Sequence, residues 1–246
     1  VLDAVEVRTA SLTSGARQVI EAGAVLGRSF ALGLVRHTSG RGELEVVGTL
    51  DELLARDLLE EGTTGYWFRH EILREAVYRG LSRGRRQVLH RRAAEALERL
   101  EPDNAVSIAW HFERADEPGR AARQSLRAGR SAQSVFAHIE ARSHYDRALE
   151  LLQWEAVDLR ADDDRAANRR LQIEALHGRG WALRLVGDMQ TYTQDLEAVA
   201  QLAESLGDAK TMAHLCWKEA YAHRWFCRYS EARARAGEGV KLSREA

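Results

Sequence analysis

The sequence predicts a mainly α-helical chain, with a small β-hairpin in its first half and a run of helical hairpins after it. Three observations predict this. Only two prolines, Pro102 and Pro118, interrupt 246 residues, and apolar residues recur at helical spacing through most of the remainder. One stretch breaks that period: Leu58-Leu59-Glu60-Glu61, the polar turn Gly62-Thr63-Thr64-Gly65, then Tyr66-Trp67-Phe68 reads as two short strands joined by a turn. Finally, small residues recur at helix-packing positions in the second half.

Taken in order, residues 13–26 open on a Thr/Ser cap and place Val19, Ile20, Ala24 and Leu26 on one stripe. A short helix is expected around 30–37. A third is expected over 43–56, with Leu44, Val47 and Leu50 or Leu54 turned inward. Three helices followed by a hairpin is the order of a winged helix, assigned to residues 1–100. From residue 71 the chain reads as helices over 71–81, 83–100, 104–115, 118–135, 138–153, 164–186, 189–206, 209–227 and 230–244. Their short connections suit antiparallel neighbours.

Ala141, Tyr145 and Ala148 have the spacing of a tetratricopeptide second helix. Gly180, Leu183, Gly187, Tyr192, Leu196 and Val199 form one packing unit. Ala220, His223, Cys227, Ala232, Ala236 and Gly239 repeat it 40 residues later. Residues 101–246 are therefore expected to form a tetratricopeptide-like α-helical array. A hinge is expected near 155–165, where Glu155, Asp158 and Ala161-Asp162-Asp163-Asp164 form an acidic run that a helix dipole would favour.

Composition excludes more than it selects. Formal net charge is −1, so no global field argues for nucleic acid or membrane. Two cysteines make no disulfide framework, and no leader or long apolar run is present, so a reduced, cytoplasmic setting is expected. The chain starts at Val1, not methionine, and is expected to be part of a longer protein. Nucleic acid is rejected for this segment: helix 43–56 and its flank carry Glu43, Glu45, Asp51, Glu52 and Asp57, and phosphate would repel them.

Catalysis is not expected either. The only lysines are Lys210, Lys218 and Lys241, so there is no phosphate-binding Gly-Lys-Ser/Thr loop. No nucleophile elbow or His-Glu-x-x-His motif appears. His214-x-Cys216 and His223-x3-Cys227 raise the question of a metal, but Cys216 and Cys227 would lie roughly 16 Å apart on one helix. Buried thiols are the expectation, and no metal.

Two stretches remain. Arg69-His70-Glu71 sits at a helix start, where unsatisfied N–H groups attract anions. The plain alternative is a helix end satisfied by its own neighbours. Trp217, Tyr221 and Trp225 fall at i, i+4 and i+8, with Trp181 on a neighbouring hairpin. They pack between helices, or they line a surface for a protein or small-molecule partner.

The segments LTSGARQVIEAGAVLGRSF, LDELLARDLLEE, FRHEILREAVYRGLSRGRRQVLHRRAAEALE and AHIEARSHYDRALELL together resemble one bacterial arrangement. It is the region after the nucleotide-binding domain of STAND-type ATPase regulators, among them large LuxR-type activators and ATPase-linked nucleotide cyclases. The resemblance implies a switch. ADP or ATP would bind an upstream domain, none in this segment, and the winged helix would clamp that domain at rest. The family's Met-His-Asp histidine meets the phosphates of ADP; here the matching residues are Arg69, His70 and Glu71. Arg85 and Arg86 would face the neighbouring domain. The array would take an inducer or partner, on Trp181, Trp217, Tyr221 and Trp225, and the whole would regulate transcription. The alternative is a passive helical scaffold that recruits a protein partner without any nucleotide switch.

Overall fold

The computed structural model describes residues 11–157 and 159–245. It is mainly α-helical with a small β-hairpin, and it divides between Ala121 and Ala122 into two compact units. The hinge expected near 155–165 includes Asp158, which lies outside the described residues.

In the first unit, α1 (Ser14–Leu26) starts at Thr13, whose hydroxyl accepts from the Ala16 N–H at 3.1 Å. The same hydroxyl donates to Glu52 Oε2 at 2.6 Å, which ties the cap to α3 (Glu43–Ala55). Between them runs β1 (Ser29–Phe30), followed by α2 (Leu32–Ser39). Strands β2 (Leu59–Gly62) and β3 (Gly65–Phe68) form the hairpin, and β1 joins it, giving the antiparallel order β1-β3-β2. Then come α4 (Glu71–Gly80), α5 (Arg83–Leu100) and α6 (Ala105–Arg114). Val19, Ile20, Leu50, Leu53, Leu58, Phe68, Leu73 and Leu89 close one core.

The structure corrects two sequence readings here. Strand β1 was not expected, because two residues carry no period of their own and pair only once β3 is in place. Gly65 permits that pairing: its φ is +149°, and a Cβ there would stand 2.5 Å from the Phe30 carbonyl oxygen. In α3 the buried stripe is Val46, Leu50 and Leu53. Leu44, expected inside, is 89% exposed, and Val47 is exposed too. Apolar residues occupy two helical phases in this segment, and contact with α1 selects the other one.

The helix α7 (Pro118–Ser134) contains the division between units. The second unit continues through α8 (His138–Ala156), α9 (Asp162–Val186), α10 (Met189–Leu206), α11 (Ala209–Trp225) and α12 (Tyr229–Glu245). Sequential helices pack as tetratricopeptide-like hairpins. Tyr145 is buried against two glycines: a Cβ on Gly129 or Gly178 would meet its ring at 2.8 and 2.3 Å.

The turns obey one local rule. Gly187 and Gly207 end their helices at φ +81° and +62°, and Asp188 and Asp208 then accept from Thr191 N and Thr211 N. Each Gly-Asp-x-x-Thr is a left-handed helix stop followed at once by a helix cap. The third turn in the series, 20 residues on, uses Cys227 at φ +58°. Cys216 is buried as expected; Cys227 is exposed, because it is the turn residue and not part of the helix. Among the described residues no helix is long and apolar enough to cross a membrane.

Candidate functional site

The head of α4 is reached directly from β3. Phe68 N donates to Arg28 O, and Arg69 N donates to Leu58 O at 3.2 Å, so the strand keeps its partners up to the helix start. His70 is the residue that precedes the first turn, in extended backbone (φ −134°, ψ 129°). Its carbonyl accepts from Leu73 N at 3.0 Å, while its side chain makes no capping bond and is exposed.

Its two neighbours are otherwise engaged. Arg69 pairs with Asp57 at 2.5 Å and reaches Glu60 at 3.6 Å, bracing the base of the hairpin. Glu71 accepts from Arg74 Nε at 2.6 Å instead of capping its own helix. The three residues named from sequence therefore sit together, but only the His70 side chain is turned out without a structural task.

Arg85 pairs with Glu21 of α1 at 2.5 Å, and Ser82 caps its N–H. Arg86 lies over the Tyr78 ring at 5.6 Å, with Nε buried and unpartnered. Both contacts fall inside the first unit.

The aromatic residues of the second unit do not form one continuous face. Trp217 and Trp225 are 56% and 52% exposed. Tyr221 packs against the core, with Arg184 and Arg224 over its ring at 5.2 and 5.7 Å. Trp181 is half-buried and meets His138 edge-on, with ring centroids 4.8 Å apart. Among the described residues no three His, Cys, Asp or Glu side chains gather as a metal site would require.

Sequence reasoning missed the residues between those aromatics. His177 and Arg184 flank Trp181 on α9, and His214 and Lys218 precede Tyr221 on α11. Their shared i, i+4, i+7 spacing was legible; that the two rows face each other was not.

No family model matches the sequence. An uncharacterized protein of Rhizobium meliloti (strain 1021) is 34% identical over 149 residues, which covers 55% of this chain and 14% of that protein. Among solved structures, a Signal Transduction ATPase with Numerous Domains (STAND) protein with a tetratricopeptide repeat sensor, from Pyrococcus horikoshii, is similar at 12% identity and a TM-score of 0.49. That match covers 96% of this chain and 39% of the other. The chain thus spans less than half the length of either protein.

Proposed function

We propose that this chain is the regulatory and sensor segment of a STAND-type signalling ATPase, a transcription regulator. Its first unit is a winged helix that clamps an upstream nucleotide-binding domain, and its helical array binds a partner or inducer. The reading rests on the sequence resemblance and on one observation: the exposed, uncapped His70 at the head of α4.

Around His70 the chain supplies what a phosphate needs. A helix start offers N–H groups, and an imidazole beside it can donate one more hydrogen bond. Arg69 and Glu71 do not fit that role here, since Asp57 and Arg74 already hold them. His70 alone would meet the nucleotide. The helix order around the hairpin supports the winged-helix reading, and α3 with Glu43, Glu45 and Asp51 on its surface suits a protein contact better than DNA. ATP hydrolysis itself would belong to the upstream domain.

The test is the ADP content of the purified full-length parent, wild type against His70→Ala, by chromatography after denaturation. The switch reading expects retention in the wild type and loss, or much faster exchange, in the variant. Equal retention in both would leave a satisfied helix end and favour the passive scaffold.

A further inference from the structure

The second unit carries a basic face with which no acid among the described residues pairs. His177, Trp181 and Arg184 occupy i, i+4 and i+7 on α9, and His214, Lys218 and Tyr221 repeat that spacing on α11. The two rows meet. The rings of His177 and His214 stack with centroids 6.0 Å apart, and the Arg184 guanidinium lies over the rings of Tyr221 (5.2 Å) and Tyr192 (5.7 Å). Lys218 is close enough to all three basic neighbours to feel or exert their charge. Burial and then Arg184 push its amine down to about 8. Burial first, then Lys218 and His214, holds His177 down at about 4.

Several acids of this unit are already paired with other cations. Asp195 and Asp146 pair with Arg179, Glu174 with Arg130, and Glu219 and Glu238 with Arg235. Among the described residues none pairs with Arg184 or Lys218. Two nitrogens, His177 Nε2 and Arg184 Nε, are buried without a hydrogen-bond partner. Buried polar atoms are ordinarily satisfied, and a guanidinium N–H can only donate. The rings of Tyr221 and Tyr192 lie against the Arg184 guanidinium and give its Nε no acceptor.

We propose that this face binds an acidic peptide segment of a protein partner, its carboxylates held by Arg184 and Lys218 and its apolar parts laid against Trp181 and Tyr221. The inference rests on the reading of the array as a partner-binding surface and names the chemistry of that partner. The aromatic side chains interleaved with the cations suit a chain with apolar atoms between its charges. At neutral pH the two histidines add N–H groups without adding charge, so a segment with two or more carboxylates is matched by two cations and several donors.

The full 246-residue chain is titrated with a tetraglutamate peptide, followed by tryptophan fluorescence and calorimetry, in low and in raised salt. Tetraglutamine and inorganic phosphate serve as comparison probes. The expected result is saturable binding of tetraglutamate that weakens with salt and falls roughly tenfold in Lys218→Gln. Lys218→Arg retains it, and circular dichroism shows both variants folded. Arg184→Gln gives the same loss from the other helix. The proposal is overturned if tetraglutamate does not saturate, if tetraglutamine binds equally, if phosphate binds as tightly as the peptide, or if Lys218→Gln changes nothing. Nucleotide content does not enter this readout, so either reading can fail without the other.

Discussion

His90 and His111 face each other with their Nδ1 atoms 3.0 Å apart, both buried, and the far nitrogen of His90 lies 3.0 Å from the Tyr78 hydroxyl. Two imidazole nitrogens at that distance hold one proton between them, so one ring donates and the other accepts. The tyrosine, two histidines and Trp110, edge-on to both rings, form a polar thread through the seam of α4, α5 and α6. A second proton cannot enter without breaking it.

That arrangement sets the first prediction. Burial, then His111, Arg114 and Arg86, pushes His90 down to about 3; burial, then Arg114, pushes His111 down to about 4. The folded state therefore binds fewer protons than the unfolded chain between these values and the ordinary histidine value of 6.5. Stability is complete above that ordinary value and is lost as pH falls below it, by up to about 1.4 kcal/mol per pH unit for each histidine that titrates. Urea unfolding between about pH 7 and about pH 5 should show the loss, and His111→Gln should lessen the slope. Imidazole resonances that report charged rings at pH 5.5 in the folded chain would refute the pairing.

Arg179 and Asp195 give the second. Asp195 is buried, and Arg179 Nε donates to its Oδ2 at 2.9 Å while Nη1 reaches Asp146 at 2.7 Å. Burial raises the Asp195 carboxyl and outweighs the opposing pull of Arg179. Arg179→Met leaves that acid without its partner and should cost about 3 kcal/mol. Replacing Asp195 by Leu in the same chain should recover most of the loss, because the expense lies in the unpaired charge and not in the missing bond. Urea midpoints of the single and double variants decide it. If the double variant is as unstable as the single, packing and not charge holds this joint.

How far such features were legible follows from their range. The hairpin and the helices announced themselves through local period, and the head of α4 could be placed from residues 66–72 alone. The engagement of Arg69 could not, because Asp57 reaches it only through a turn with φ +55° at Asp57 itself. Strand β1 and the inward phase of α3 likewise depend on partners distant in sequence. The basic face was spelled out on α9 and again on α11, but each row alone reads as a solvated edge. Only the packing of α9 and α11 makes one surface of two rows, with no acid among the described residues paired to Arg184 or Lys218. The aromatic stripe shows the reverse: its spacing was regular, yet Tyr221 is partly buried against the core with arginines over its ring, while Trp217 and Trp225 stay outside.

The last prediction concerns where glycine is needed and where it is missing. Gly178 lies within α9, where alanine would ordinarily gain about 1 kcal/mol, but a Cβ there would meet the Tyr145 ring at 2.3 Å. That ring is fully buried and its hydroxyl donates to Gln133 at 2.9 Å, so it cannot yield freely. Gly178→Ala should destabilise by about 1–3 kcal/mol. Cys227 is the opposite case. It holds φ +58° at the position that Gly187 and Gly207 fill in the two preceding turns, and its side chain is exposed. A left-handed conformation costs an L-residue roughly 1–2 kcal/mol, so Cys227→Gly should stabilise the last hairpin by about 1 kcal/mol after the entropy of glycine is set against it. Thermal unfolding of the two variants beside the wild type should move in opposite directions. A Gly178→Ala chain that melts higher than wild type would mean that Tyr145 has room to turn away, and the glycines that flank it would then lose their packing role.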